Sequence, residues 1–245
     1  MKVRIPLFFI FAICSFLFFH FSLGNAQVVH SSNGLYLKEY IQSPSVSKPI
    51  IVLDPGHGGR DEGTKMHSFQ EKRITLATAL YTKRFLEEMG YRVILTRMKD
   101  VEISLRRRVE LANKVNTMVF VSIHFNASKN KEAKGIEIFH YDCKDVERMK
   151  NSRKLANYIL HHVIDQTEAA SRGVKKGDFQ VIRETRMPAV LFEGGFVTNF
   201  QECSNLRRKE YLQQIAKGLA LGIDKYYKHM ETDRPRRELN ARPAA

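Results

Sequence analysis

Two histidines and a glutamate each follow a run of aliphatic residues. His57 comes after Ile50-Ile51-Val52-Leu53-Asp54-Pro55-Gly56, His124 after Met118-Val119-Phe120-Val121-Ser122-Ile123, and Glu193 after Pro188-Ala189-Val190-Leu191-Phe192. Any one of them alone is unremarkable, since a single strand-end histidine is commonly a hydrogen-bonded structural residue and a glutamate before Gly-Gly can cap a turn. Three at equivalent strand ends point to a site. Two neutral imidazoles and one carboxylate leave a four-coordinate zinc an open position for water. The metal lowers the pKa of such a water towards neutrality, and a further carboxylate must then take and return a proton. The available carboxylates are Asp54, Asp61, Glu62, Glu71 and Glu193, and spacing does not choose among them. Glu71, in the first turn of a helix, is placed rigidly enough to suit a ligand. Glu193, from a separate strand, suits a base facing the ligand set.

The elements that would carry these residues follow from hydrophobic period. Ile50 to Leu53 reads as a strand buried on both faces. Asp54-Pro55-Gly56 forces the chain to turn, and His57 falls just past the strand's carboxyl end, the edge at which open α/β sheets bind ligands. A helix opens at Glu71, with Ile74, Ala77, Tyr81, Phe85 and Met89 at helical spacing and Gly90 ending the run. Arg92 to Thr96 is the next strand. Ser104 is positioned as the N-cap of a helix through Lys114 that turns Leu105, Val109 and Ala112 inward. Arg106, Arg107 and Arg108 read as a solvated face, with one of them able to point at the site. Gly135 to Tyr141 alternates like a strand nearer a sheet edge. A helix follows from Asp145 to Gln166, then short strands at Phe179–Arg183 and at Pro188–Phe192. A last helix covers Arg208–His229, and residues 230–245 read as a charged, disordered tail. Strands alternating with helices predict an α/β fold, a single twisted, largely parallel mixed sheet of about six strands with helices on both faces.

The chain has 245 residues and a formal net charge of +14. That balance favours an anionic partner: nucleic acid, a membrane surface or anionic polymers of the cell envelope. Residues 1–26 argue against nucleic acid, because Lys2 and Arg4 precede an apolar run from Ile5 to Leu23 and then Gly24-Asn25-Ala26, the pattern of an export signal. The apolar run is nearly long enough to span a bilayer, so retention as an anchor is the alternative to cleavage. Residues 27–47 are polar and Ser-rich and read as a tether to a folded domain at 48–229. The expected location is periplasmic, across the inner membrane. Beyond the signal only Cys143 and Cys203 remain, and sequence leaves their pairing open.

Val52-Leu53-Asp54-Pro55-Gly56-His57-Gly58-Gly59, the helix-opening Glu71, Ser122-Ile123-His124-Phe125-Asn126 and Met187-Pro188-Ala189-Val190-Leu191-Phe192-Glu193-Gly194-Gly195-Phe196 resemble the zinc-dependent N-acetylmuramoyl-L-alanine amidases of the type 3 family. Leu105 to Asn113, with Arg108, and Arg172-Gly173-Val174-Lys175 are lesser matches. The resemblance covers residues 48–228 in order. It implies that His57, Glu71 and His124 hold one zinc (Zn2+) per chain and that Glu193 is the catalytic general base and acid. It also implies cleavage of the amide between the lactyl group of N-acetylmuramic acid and L-alanine of the peptidoglycan stem peptide, in cell separation or wall remodelling. Asp54 would orient a histidine or the turn. A divisome activator is a possible protein partner of such an enzyme. Certain relatives insert a helix that plugs the zinc site, whereas Lys144 to Gly177 has room for one core helix and little more, which predicts an open site.

Three rival readings use other residues. An active-serine carboxypeptidase needs Ser-x-x-Lys at a helix start, and Ser45-Val46-Ser47-Lys48 and Ser128-Lys129-Asn130-Lys131 carry those letters. A non-catalytic peptidoglycan-binding module would have lost ligands, whereas all four site residues are in place. A phosphate cradle at Gly56-His57-Gly58-Gly59 lacks the lysine pattern of such loops and does not lead straight into a helix.

Overall fold

Six strands hydrogen-bond in the order β4-β1-β5-β8-β6-β7, from Arg92–Leu95 (β4), Ile50–Pro55 (β1), Thr117–Asn126 (β5), Ala189–Phe196 (β8), Ile136–His140 (β6) and Ser171–Lys176 (β7). In this computed structural model the described residues are 48–66 and 69–240; the export signal and the tether read at 1–47 lie outside them. β4, β1, β5 and β8 run parallel, β6 runs antiparallel to β8, and β7 runs parallel to β6. The expected largely parallel mixed sheet is therefore observed.

Alternation along the central strands feeds two apolar layers, one on each face. Ile51, Leu53, Val119, Val121 and Ile123 pack with residues of Glu71–Glu88 (α1), Val146–Thr167 (α3) and Lys209–Asn240 (α6). Val52, Phe120 and Leu191 face the other way, onto Ala112 of Leu105–Lys114 (α2) and onto Val181 and Ile182 of Gln180–Arg183 (α4). Strands sandwiched in this way must be apolar on both sides, which is why they read as continuous hydrophobic runs. α3 and α6 lie close because α6 presents Gly218 and Gly222. A Cβ at either would stand 2.5 Å from the Cα of Val163 or Ile159.

Several local expectations hold. Ser104 caps α2 by accepting from the Arg107 N–H, and Gly90 takes a φ of 88° just beyond α1. Others are corrected. Phe179–Arg183 is not a strand but the helical turn α4, whose Val181 and Ile182 are both buried. A four-residue apolar stretch carries no readable period. The turn is fixed from a distance, by the Arg148 guanidinium donating to the carbonyls of Ile182, Arg183 and Met187. Leu105 does not face inward; it is 50% exposed and borders the cavity that His57 and His124 also line. Of the tail read at 230–245, residues 230–240 continue α6 to Asn240, and the remainder lies outside the described residues. The sequence reading also passed over β7, the small hairpin of Lys65–Met66 (β2) and Phe69–Gln70 (β3), and Phe200–Leu206 (α5). Among the described residues no helix is long and apolar enough to cross a membrane.

Candidate metal centre

His57 leaves β1 in the left-handed region, with φ 61°, followed by Gly58 at 129° and Gly59 at 62°. A non-glycine residue holds that conformation only where its surroundings over-determine it. Here two buried arginines do so. Arg108 donates to Asp54 Oδ1 (2.6 Å), to the Pro55 carbonyl (2.7 Å) and to the His57 carbonyl (2.7 Å). Arg97 donates to the Pro55 carbonyl at 3.0 Å and to the Gly56 carbonyl at 2.8 Å. Burial, aided by the neighbouring Arg108 charge, pulls the Arg97 pKa down to about 10. Arg108 is thus the one arginine of its run that turns inward, while Arg106 and Arg107 stay exposed. Asp54 touches neither histidine. Its carboxylate accepts from Thr96 Oγ1, Arg108 and Ser122 Oγ, so it braces the turn.

The turn brings three donor atoms together. His57 Nε2 lies 3.0 Å from Glu71 Oε1, and His124 Nδ1 lies 3.2 Å from both. Glu71 is clamped from two sides, Oε1 accepting from the Phe125 N–H (3.1 Å) and Oε2 from the Thr64 N–H (2.9 Å). Glycines allow this crowding. A Cβ on Gly56 would stand 2.2 Å from the His124 ring, and one on Gly63 would stand 2.6 Å from the His57 ring. His57 Nδ1, on the far side of its ring, meets Asp61 Oδ2 at 2.9 Å. Asp61 is therefore the carboxylate that faces the His57 ring, and of the two parts open to Asp54, a histidine or the turn, it takes the turn.

These donors fit a divalent cation. A tetrahedron with zinc–nitrogen and zinc–oxygen bonds of 2.0–2.1 Å has edges of about 3.3 Å, close to the separations found here. Electrostatics agree. Burial alone would lower the His57 pKa, but the Glu71 and Asp61 carboxylates outweigh it and raise it. Burial would likewise raise the Glu71 pKa, and the two imidazoles instead hold it well below the carboxylate range. The cluster favours positive charge at its centre.

Glu193 enters through strand register. It is the β8 partner of His124 on one side and of Glu137 in β6 on the other. Its Oε2 is buried without a hydrogen bond. Burial, then the charges of Glu71 and Glu137, push its pKa well above the ordinary value. A carboxyl group displaced in that direction is suited to holding and passing a proton. Glu137, which the sequence reading passed over, accepts from Asn126 Nδ2 (2.8 Å), Arg172 Nε (2.7 Å) and Lys175 Nζ (2.5 Å). Burial would raise its pKa, but the Lys175 and Arg172 cations outweigh that and lower it. Of the other carboxylates considered, Glu62 pairs with Lys65 away from the donors.

A cavity of about 180 Å³ beside the donors is lined by His57, His124, Asp61, Arg108, Ser104 and Leu105. A larger one, about 650 Å³ and including Val197, Phe200 and Arg207, contains none of the donors. Chemistry, not volume, selects the smaller. Lys144 to Gly177 supplies α3, which packs against α6, and β7; His57 and His124 keep about a fifth of their side-chain surface exposed, at 21% and 19%. Ser128 lies in the loop between β5 and β6, not at a helix start, and Ser45 lies outside the described residues. Cys143 and Cys203 are both free.

Known proteins are similar to this chain in sequence and in fold. The chain is 36% identical over 177 residues to the uncharacterized protein YqiI of Bacillus subtilis, covering 72% of this chain and 84% of that protein. It is 35% identical over 175 residues to the N-acetylmuramoyl-L-alanine amidase CwlM of Bacillus licheniformis, covering 71% and 66%. Other relatives are longer, and the chain spans 40% of LytC of Bacillus subtilis. The catalytic domain of CwlV, an amidase from Bacillus (Paenibacillus) polymyxa, superposes with a TM-score of 0.69 at 34% identity, covering 74% of this chain and 98% of that one. The CwlD amidase of Clostridioides difficile, solved in complex with the GerS lipoprotein, superposes with a TM-score of 0.69 at 32% identity, covering 74% and 99%. Residues 51–225 match the Amidase_3 family model, described as N-acetylmuramoyl-L-alanine amidase, and the chain belongs to that family.

Proposed function

We propose that this chain is a zinc-dependent peptidoglycan hydrolase, cleaving the amide between the lactyl group of N-acetylmuramic acid and L-alanine of the stem peptide. The observation that carries the reading is the convergence of His57 Nε2, Glu71 Oε1 and His124 Nδ1 with Glu193 in the adjoining strand register. His57, Glu71 and His124 would hold the metal, which when bound lowers the pKa of a water and polarises a carbonyl oxygen. Asp61 fixes the His57 ring and its tautomer. Glu193, with a raised pKa and an unpartnered oxygen, takes the water's proton and returns it to the leaving nitrogen. The expected setting is the periplasm, in wall remodelling or cell separation.

The test is mass spectrometry of muropeptides incubated with the purified chain, with and without chelator. Free stem peptide and peptide-free glycan, lost with chelator and restored by zinc, are the expected products. Glu193→Gln should retain the metal and lower turnover by roughly 10²–10⁴-fold. Loss of terminal D-alanine with the lactyl bond intact would overturn the reading in favour of the Ser-x-x-Lys alternative, and no cleavage would favour a binding module. Full turnover by the purified chain alone is the expected result for an open site; turnover only after a protein is added would place an activator beside it.

A further inference from the structure

A second charged cavity lies at the opposite edge of the sheet. Because β6 runs against β8, His140 pairs with Val190, three residues before Glu193 and so about 10 Å down the strand. The cavity, about 360 Å³, is lined by His140, Asp142, Met149, Lys150, Arg153, Val174 and Lys176. His140 forms its floor, with only 6% of its side chain exposed. Its Nδ1 is buried and makes no hydrogen bond, although Asp142 Oδ1 lies 3.5 Å away. Asp142 is already engaged, its Oδ2 accepting an ion pair from Lys176 at 2.6 Å. Lys150 and Arg153 stand three residues apart, on one face of α3. Both are exposed, and neither forms an ion pair among the described residues. Three cations thus ring a cavity that holds one carboxylate, and that carboxylate is already shared between Lys176 and the His140 ring.

We propose that this cavity is a binding site for a phosphate-type oxyanion, held by Lys150, Arg153 and Lys176 at its rim with the His140 ring in its wall. Several donors around one concavity suit a group with three or four oxygens, and cation-to-phosphate hydrogen bonds are the strong ones. The site is separate from the metal donors and does not rest on the amidase reading, so its test reads binding alone.

Inorganic phosphate and a glycerol-phosphodiester oligomer would each be titrated into the purified full chain, followed by calorimetry and by the imidazole nitrogen shifts of His140. Saturable binding that moves the His140 signals is expected. Lys150→Gln and Arg153→Gln, both exposed and therefore safe for folding, should each weaken it about tenfold. Cleavage of isolated muropeptides should stay unchanged in both variants. Tighter binding of the oligomer than of phosphate would assign the site to a phosphodiester polymer, and equal binding to the free anion; either supports it. Absence of binding, still His140 signals, or an undiminished affinity in the double variant would overturn it.

Discussion

At His57 the backbone is held in an unfavourable conformation so that one ring can touch two carboxylates, Glu71 through Nε2 and Asp61 through Nδ1. The pairing with Asp61 gives a sharp expectation. Asp61→Asn keeps the shape but loses the charge that fixes the ring, and it should weaken metal affinity about 10–100-fold, measured by competition with a chromophoric chelator. Wild-type affinity in that variant would return the orienting role to another group. The site residues differ in how far sequence exposes them. His57, His124 and Glu193 stand out because each closes an apolar run, and Glu71 because it opens a helix. Glu137 hides inside the alternation Ile136-Glu137-Ile138, and its meaning lies in Arg172 and Lys175, 35 and 38 residues away. Arg108 left a fainter signal, for it precedes Ala112 by four residues and so shares the inward face of α2. Asp54 braces the turn, one of the two parts left open for it, and Asp61 faces the His57 ring; a contact between side chains is not written in the spacing of either.

Among the elements, the α3–α6 pair depends on backbone approach. Gly222→Ala would ordinarily gain helix propensity, by about 1 kcal/mol. The new Cβ would instead meet the Ile159 Cα at 2.5 Å, and backbone cannot swing aside as a side chain can. The clash should win, with a net loss of about 1–3 kcal/mol and a fall in Tm of several degrees. An unchanged or higher Tm in a thermal melt would mean that the helices separate without cost. Long periodic elements such as α1, α3 and α6 were legible because their apolar positions repeat over several turns. The short ones were not. α4 follows from its packing and from Arg148 seated on its last carbonyls, and β7, with the burial pattern of a strand only half covered, offers no apolar run to read.

For the molecule as a whole, acid resistance should depend on Asp224, which joins α6 to the start of the folded domain. It accepts from Tyr91 Oη at 2.9 Å and pairs with Lys228 at 2.7 Å and Lys48 at 3.4 Å. Burial would raise its pKa, but Lys228 and Tyr91 outweigh burial and lower it below the ordinary 3.8. A carboxylate lowered by folding adds stability that is fully present above its unfolded pKa and is lost as pH falls through the folded one. The difference in unfolding free energy between wild type and Asp224→Asn should therefore be constant above about pH 5 and shrink as the pH drops below 4. A difference that does not change with pH in denaturant titrations would show that the charge is not what Asp224 contributes.

The reversal of one strand has a wider consequence. Were every strand of the sheet to run the same way, all carboxyl ends would gather at one rim, and the molecule would have a single working end. With β6 turned against β8, Glu137 arrives beside Glu193 while His140 is carried to the far rim. With the metal donors at one rim and the cationic cavity at the other, the proposed cutting and holding ends would be separated by the length of the strands. If the proposed anion site is occupied by a strand of the wall, that strand would tether the chain while stem peptides meet the other rim.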